Sequence, residues 1–179
     1  IRMEDPRTAA ELARRAIDGG AVLRGGYVLG MALDEMGRTP EAMDALNRAW
    51  AAPVDLSDRA QVSALVEVGL ERAEVWFSQS DDFEGAAAML DEVEARVPAA
   101  ARAVEISRII HLCLLGRPEE ALRRAEPILA QDAPLFDVAR VALPVLPDVA
   151  HEALPLLGDL GLLTAAYTAL VALAERQPR

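Results

Sequence analysis

From Ala9 onward, apolar residues recur at intervals of three and four rather than alternating, and Ala and Leu supply most of them instead of Val, Ile and Tyr. That period is one face of an α-helix, so the whole chain reads helical. Breaks fall at Gly19-Gly20, Gly37 to Pro40, Ala52-Pro53, Gln79 to Asp82, Pro98, Gly116 to Pro118, Ala133-Pro134, Pro147, Gly158 to Gly161 and Pro178. They leave segments of about one to two dozen residues, the usual length of globular helices. Asp5-Pro6 and Thr39-Pro40 each place a capping side chain before a proline suited to the first helical turn.

The segments repeat. Gly37-Arg38-Thr39-Pro40-Glu41-Ala42 resembles Gly116-Arg117-Pro118-Glu119-Glu120-Ala121, a tight turn followed by an acidic first helical turn and an alanine. From that alanine a triplet spaced by four and three residues recurs: Ala42, Leu46, Ala49; Ala86, Leu90, Val93; Ala121, Ala125, Ile128; and Ala166, Leu170, Leu173. Ala9, Ala13 and Ala16 read as the remnant of a further unit. These spacings share one helix face, where small residues let helices approach closely. The step from Ala86 to Ala121 is 35 residues, close to the length of a helix hairpin repeat, and the other steps, 33, 44 and 45, imply lengthened first helices or irregular turns.

On these residues the chain resembles the tetratricopeptide repeat family. The segment 23–56 carries Tyr27, Leu29-Gly30, Ala32, Gly37, Ala42, Leu46, Ala49 and Pro53 in the family's order. A second unit, 67–100, matches through Phe77, Phe83, Ala86, Leu90 and Pro98. A third, 102–134, keeps Leu112, Gly116, Ala121 and Ile128 but has Arg108-Ile109 where the family favours Leu-Gly. Residues 5–20 form a partial unit and 147–179 a degenerate one, interrupted by Pro155. The resemblance implies an all-α right-handed superhelix of antiparallel hairpins, one domain over 1–179, cut from a longer chain. It specifies fold rather than function.

Composition narrows the chemistry. The net charge is −11, all 18 basic residues are Arg, and aromatics make up 4 %. Without Lys there is no phosphate-loop lysine, Schiff base or lysine general base. The acidic balance and the shortage of stacking rings argue against direct nucleic-acid contact by this segment. Cys113 is the only cysteine, which fits a reducing cytoplasm. The apolar stretch 153–174 is broken by Pro155, Gly158 and Gly161 and reads as buried helices rather than a membrane span.

Candidate chemistry is sparse. His111 and Cys113 lie two residues apart, on different helix faces, whereas helical ligand pairs are three or four apart. No Ser sits in a Gly-x-Ser-x-Gly elbow, and carboxylate pairs such as Asp81-Asp82 and Glu119-Glu120 are explained by helix N-termini. Trp50 and Trp76 read as packing residues at repeat junctions. The expectation is therefore a protein that is not an enzyme and needs no metal or cofactor.

What remains is a surface. Carrying over the family's groove positions places Arg24, Tyr27, Met31, Asp34 and Glu35 in the first unit. The second contributes Val68, Glu71, Val75, Ser78 and Gln79, and the third Ala103, Ile106, Ile110, Cys113 and Leu114. This implies an acidic mouth grading into an apolar wall, suited to a protein, peptide or small-molecule effector with an apolar body and a cationic end. The Lys and Asn clamps of carboxylate-binding co-chaperones are absent, since the only Asn, Asn47, falls on a second helix. The Lys-free composition and Gly-Arg-Pro-Glu-Glu-Ala turn also resemble the helical-repeat sensor region of large LuxR/MalT-type bacterial transcriptional regulators, common in high-GC actinobacteria. A free-standing scaffold adaptor is the alternative. At the C-terminal end, the leucines crowded into 154–173 lack a polar capping helix and predict a homodimer through 157–173.

Overall fold

Local chemistry accounts for where each helix starts and stops. The computed structural model describes residues 5–80 and 82–131, and among them the secondary structure is entirely helical. Helix α1 (Pro6–Asp18) begins where Asp5 accepts backbone bonds from Arg7 and Thr8, both 3.1 Å. Asp58 and Asp82 cap α4 (Arg59–Gln79) and α5 (Phe83–Arg96) in the same way. Each side chain satisfies amides that the first helical turn leaves without partners.

Helix α3 (Thr39–Trp50) departs from this scheme, because it already includes Thr39 and its N-cap, Arg38, makes no side-chain cap. The Thr39 hydroxyl donates instead to Asp34 Oδ1 at 3.3 Å, so the expected Thr39 cap is corrected to a cross-turn bond. Helix α2 (Val22–Glu35) likewise has no side-chain cap.

The two turns matched by sequence have the same geometry. Gly37 has φ +71° and Gly116, beyond α6 (Ala101–Leu114), has φ +69°. In both, the following arginine donates its backbone N–H to a carbonyl five residues back, Arg38 to Leu33 at 2.8 Å and Arg117 to Leu112 at 2.9 Å. This is the Schellman arrangement, whose left-handed residue favours glycine. Each arginine then pairs with a glutamate in the first turn of the next helix, Arg38 with Glu41 and Arg117 with Glu120.

The described residues fall into two units, one ending at Val104 and the other beginning at Glu105. In the first, α2 packs against α1 and α3, α4 against α3 and α5, and α2 also touches α4. Ala10, Ala13, Leu29, Leu33, Leu46, Val68 and Val75 belong to one buried cluster; Leu65, Leu90, Val93, Val97 and Val104 belong to another. Fully burying one such leucine stabilises the fold by ~1.5–3 kcal/mol. Close approach is built in where α2 meets α3. A Cβ on Gly30 would lie 2.5 Å from Leu46 Cγ, and one on Gly26 would lie 2.5 Å from Ala49 Cβ.

Ala42, Ala86 and Ala121 are all fully buried, and so are Leu46 and Leu90. Ile128 is only half-buried, and the α1 stripe is Ala10 and Ala13 rather than Ala9, Ala13 and Ala16. In the second unit α7 (Pro118–Gln131) is tied to α6 by Arg124, which donates from Nε to Glu105 Oε1 at 2.6 Å. Residues 132–179, with His151, the degenerate last unit and the predicted dimer face at 157–173, lie outside the described residues. Among those described, no helix is long and apolar enough to cross a membrane.

Candidate functional site

The contact between α2 and α4 brings part of the predicted groove together. On α2, Tyr27, Met31 and Asp34 are half-buried, with Arg24 and Glu35 exposed at opposite ends. On α4, Glu71 is half-buried, whereas Ser78 and Gln79 are exposed near its C-terminus. Val75 and Val68 are a correction: at 1 % and 0 % exposure they sit in the core with Leu33 and present no surface to a ligand. The reason is that α4 touches α2, α3 and α5 at once, so its 68/75 stripe turns inward. The more open positions are those of Glu67, Glu71 and Glu74.

Electrostatics single out Glu71. Burial, then the charges of Glu74 and Asp34, push its carboxyl from the usual 4.5 up to about 7. Tyr27 is raised as well, first by burial and then by Glu71 and Glu67. Asp34 is held by Thr39, and Glu67 accepts from Ser63 Oγ at 3.4 Å. The seam between α2 and α4 is thus a partly dehydrated acidic strip whose central carboxyl sits near its own neutral point at physiological pH. Such a strip can attract a cation and can exchange a proton as it does so.

Arg24 lies away from the acids. It lines a cavity of about 440 Å³ with the turn Gly20–Leu23, Ala52-Pro53 and Ala60, Gln61 and Ala64 of α4. Gln61 is occupied there, accepting from the Asp55 backbone at 3.1 Å and donating to Asp58 at 3.0 Å. Along α2 the ten residues from Arg24 to Asp34 span ~15 Å, so Arg24 and Asp34 stand at separate ends of the helix, with Tyr27 one turn from Arg24. Of the third-unit positions, Ile106 and Ile110 are half-buried and Leu114 is 60 % exposed, all on α6 of the second unit.

One cluster escaped the sequence reading. Arg72 is buried at 7 % exposure, donates from Nε to Asn47 Oδ1 at 2.9 Å and from Nη1 to Glu92 Oε2 at 3.1 Å. Its guanidinium lies 5.2 Å from the Trp50 ring centre, and that of Arg96 lies 4.8 Å from it. Arg96 also donates to the backbone oxygens of Trp50 and Ala52. Trp50 is therefore gripped by two cations that join α3, α4 and α5. The signal was present in the sequence, since Arg72 continues the inward stripe of Leu65, Val68 and Gly69. A charge in a buried stripe needs partners.

Trp76 has a humbler role, donating from its indole to Asp82 at 3.2 Å beside the edge-to-face pair Phe77–Phe83. His111 is buried in α6. Among the described residues no group of three His, Cys, Asp or Glu side chains could hold a metal ion. Comparison with protein-family models, curated proteins and solved structures returns no match.

Proposed function

We propose that this chain is a tetratricopeptide-like superhelix of hairpins that acts without catalysis, as the effector-sensing domain of a LuxR/MalT-type bacterial transcriptional regulator in the cytoplasm. The observation that carries the binding role is the half-buried acidic seam of Tyr27, Asp34 and Glu71 between α2 and α4. The paired Schellman turns at Gly37 and Gly116, with their matching Arg–Glu bridges, support the repeat reading behind it. Effectors of this seam are proteins, peptides or small molecules with an apolar body and a cationic end, and nucleic acid is not contacted by this segment.

Calorimetric titration with a short amidated peptide of leucines ending in arginine tests the binding role. Saturable binding that weakens with added salt is expected, with Glu71→Gln reducing both the affinity and the salt dependence. Tighter binding of duplex DNA than of the cationic peptide would sink the proposal. The regulator assignment rests on the parent reading frame: a phosphate-binding loop upstream and a helix-turn-helix downstream are expected, and their absence would favour a free-standing adaptor.

A further inference from the structure

On the opposite face of α2 from the acidic seam, α1 and α3 flank a second cavity, of about 390 Å³. Its floor is Val22, Gly26 and Leu29 of α2 with Ala45 and Ala49 of α3, and Ile17 closes one side. Gly26 lets α2 and α3 meet closely in this floor, since a Cβ there would run into Ala49. The volume lies in the range of small-molecule sites.

Three charged groups stand around this apolar floor, Arg14 and Asp18 on α1 and Arg48 on α3. Arg14 and Asp18 are one turn apart, but with the cation N-terminal to the acid, the less favourable order for a pair on one helix. Arg14 acts through space on the Glu41 carboxylate without a hydrogen bond, Asp18 forms no hydrogen bond or ion pair among the described residues, and Arg48 uses only Nε, on the Asp44 carbonyl at 3.2 Å. Two guanidinium groups and one carboxylate therefore line one apolar recess without bonding to one another.

We propose that this recess binds a short apolar zwitterion, an α-amino acid with a branched or aromatic side chain. Its carboxylate meets Arg14 and Arg48, its ammonium meets Asp18, and its side chain covers the Val22, Leu29 and Ala45 floor. A simple apolar acid fits less well, because Asp18 would repel it with nothing in return. A long peptide exceeds the recess. Since all three charged groups are exposed, the affinity is that of a metabolite sensor, near millimolar.

The test is titration of the intact chain with L-leucine and L-phenylalanine, followed by backbone NMR shifts, alongside leucinamide and 4-methylpentanoate, which each lack one charge. Saturable leucine binding with shifts at Val22, Gly26 and Ala45 is expected. Leucinamide, 4-methylpentanoate and the exposed-site variants Arg48→Ala and Asp18→Asn should each weaken it about tenfold. Glu71→Gln, in the other site, should leave it unchanged, so failure here is separable from failure of the seam. The proposal is overturned if neither amino acid saturates by about 10 mM. Equal binding of 4-methylpentanoate and leucine, or binding indifferent to both variants, would overturn it too.

Discussion

Glu71 joins sequence to solution behaviour most directly. Its folded carboxyl is raised from 4.5 to about 7 by burial, Glu74 and Asp34. Below pH 4.5 the carboxyl is protonated in both folded and unfolded chains, and its contribution to stability is fully present. As pH rises toward 7 the unfolded chain releases the proton first, so that contribution is lost across this window. Glu71→Gln should therefore change little below pH 4.5 and stabilise the fold at pH 8 by ~1 kcal/mol, after allowing for the part of the side chain in water, read as a higher melting midpoint. A pH-independent difference between the two proteins would contradict the burial argument. Arg72 is the complementary residue. Arg72→Ala removes the cation over Trp50 and leaves Asn47 without its donor, and should cost ~2–4 kcal/mol in chemical denaturation. Arg96→Ala should cost less, because Arg96 is only half-buried whereas Arg72 is buried.

At the scale of elements, the helices are placed by their ends and their small faces. Gly37 and Gly116 hold positive φ, so Gly37→Ala should destabilise by ~1 kcal/mol, and Gly37→Asn by less, measured by thermal unfolding. Ala42 is fully buried on α3, and Ala42→Leu should overpack it by ~1–3 kcal/mol. An unchanged midpoint for that variant would argue against the repeat register. These elements were legible beforehand because their causes are local: Asp5-Pro6, Asp82 and the two Gly-Arg turns announce themselves within a few residues. Thr39 was misjudged as a cap because its hydroxyl has a competing partner in Asp34, five residues back across the turn. Nothing in a linear window decides between a capping oxygen that accepts a backbone N–H and a hydroxyl that donates to Asp34.

The molecule as a whole carries one expectation that the described residues leave open. Leucines packed into 157–173 predict a homodimer of the isolated chain. Sedimentation velocity over a range of micromolar concentrations should give a mass rising toward twice the chain's 19.2 kDa, and Leu157→Glu combined with Leu170→Glu should return it to one. A single species of chain mass at every concentration would show that this stretch buries its own apolar face.

Helical class, the Gly37 and Gly116 turns, the Asp5 cap and the burial of Ala42, Ala86 and Ala121 were set by the sequence alone, because propensity, capping and positive φ act within a turn or two of chain. Which face of α4 lines a surface was decided only by packing. The family resemblance places Val68 and Val75 on the groove face, but simultaneous contact with α2, α3 and α5 turns them inward and leaves Glu71 at the seam. The elevation of Glu71, the grip of Arg72 and Arg96 on Trp50, and the convergence of Arg14, Asp18 and Arg48 likewise join residues far apart in sequence. Burial and charge proximity are properties of where helices meet, and no periodicity along one helix encodes that meeting.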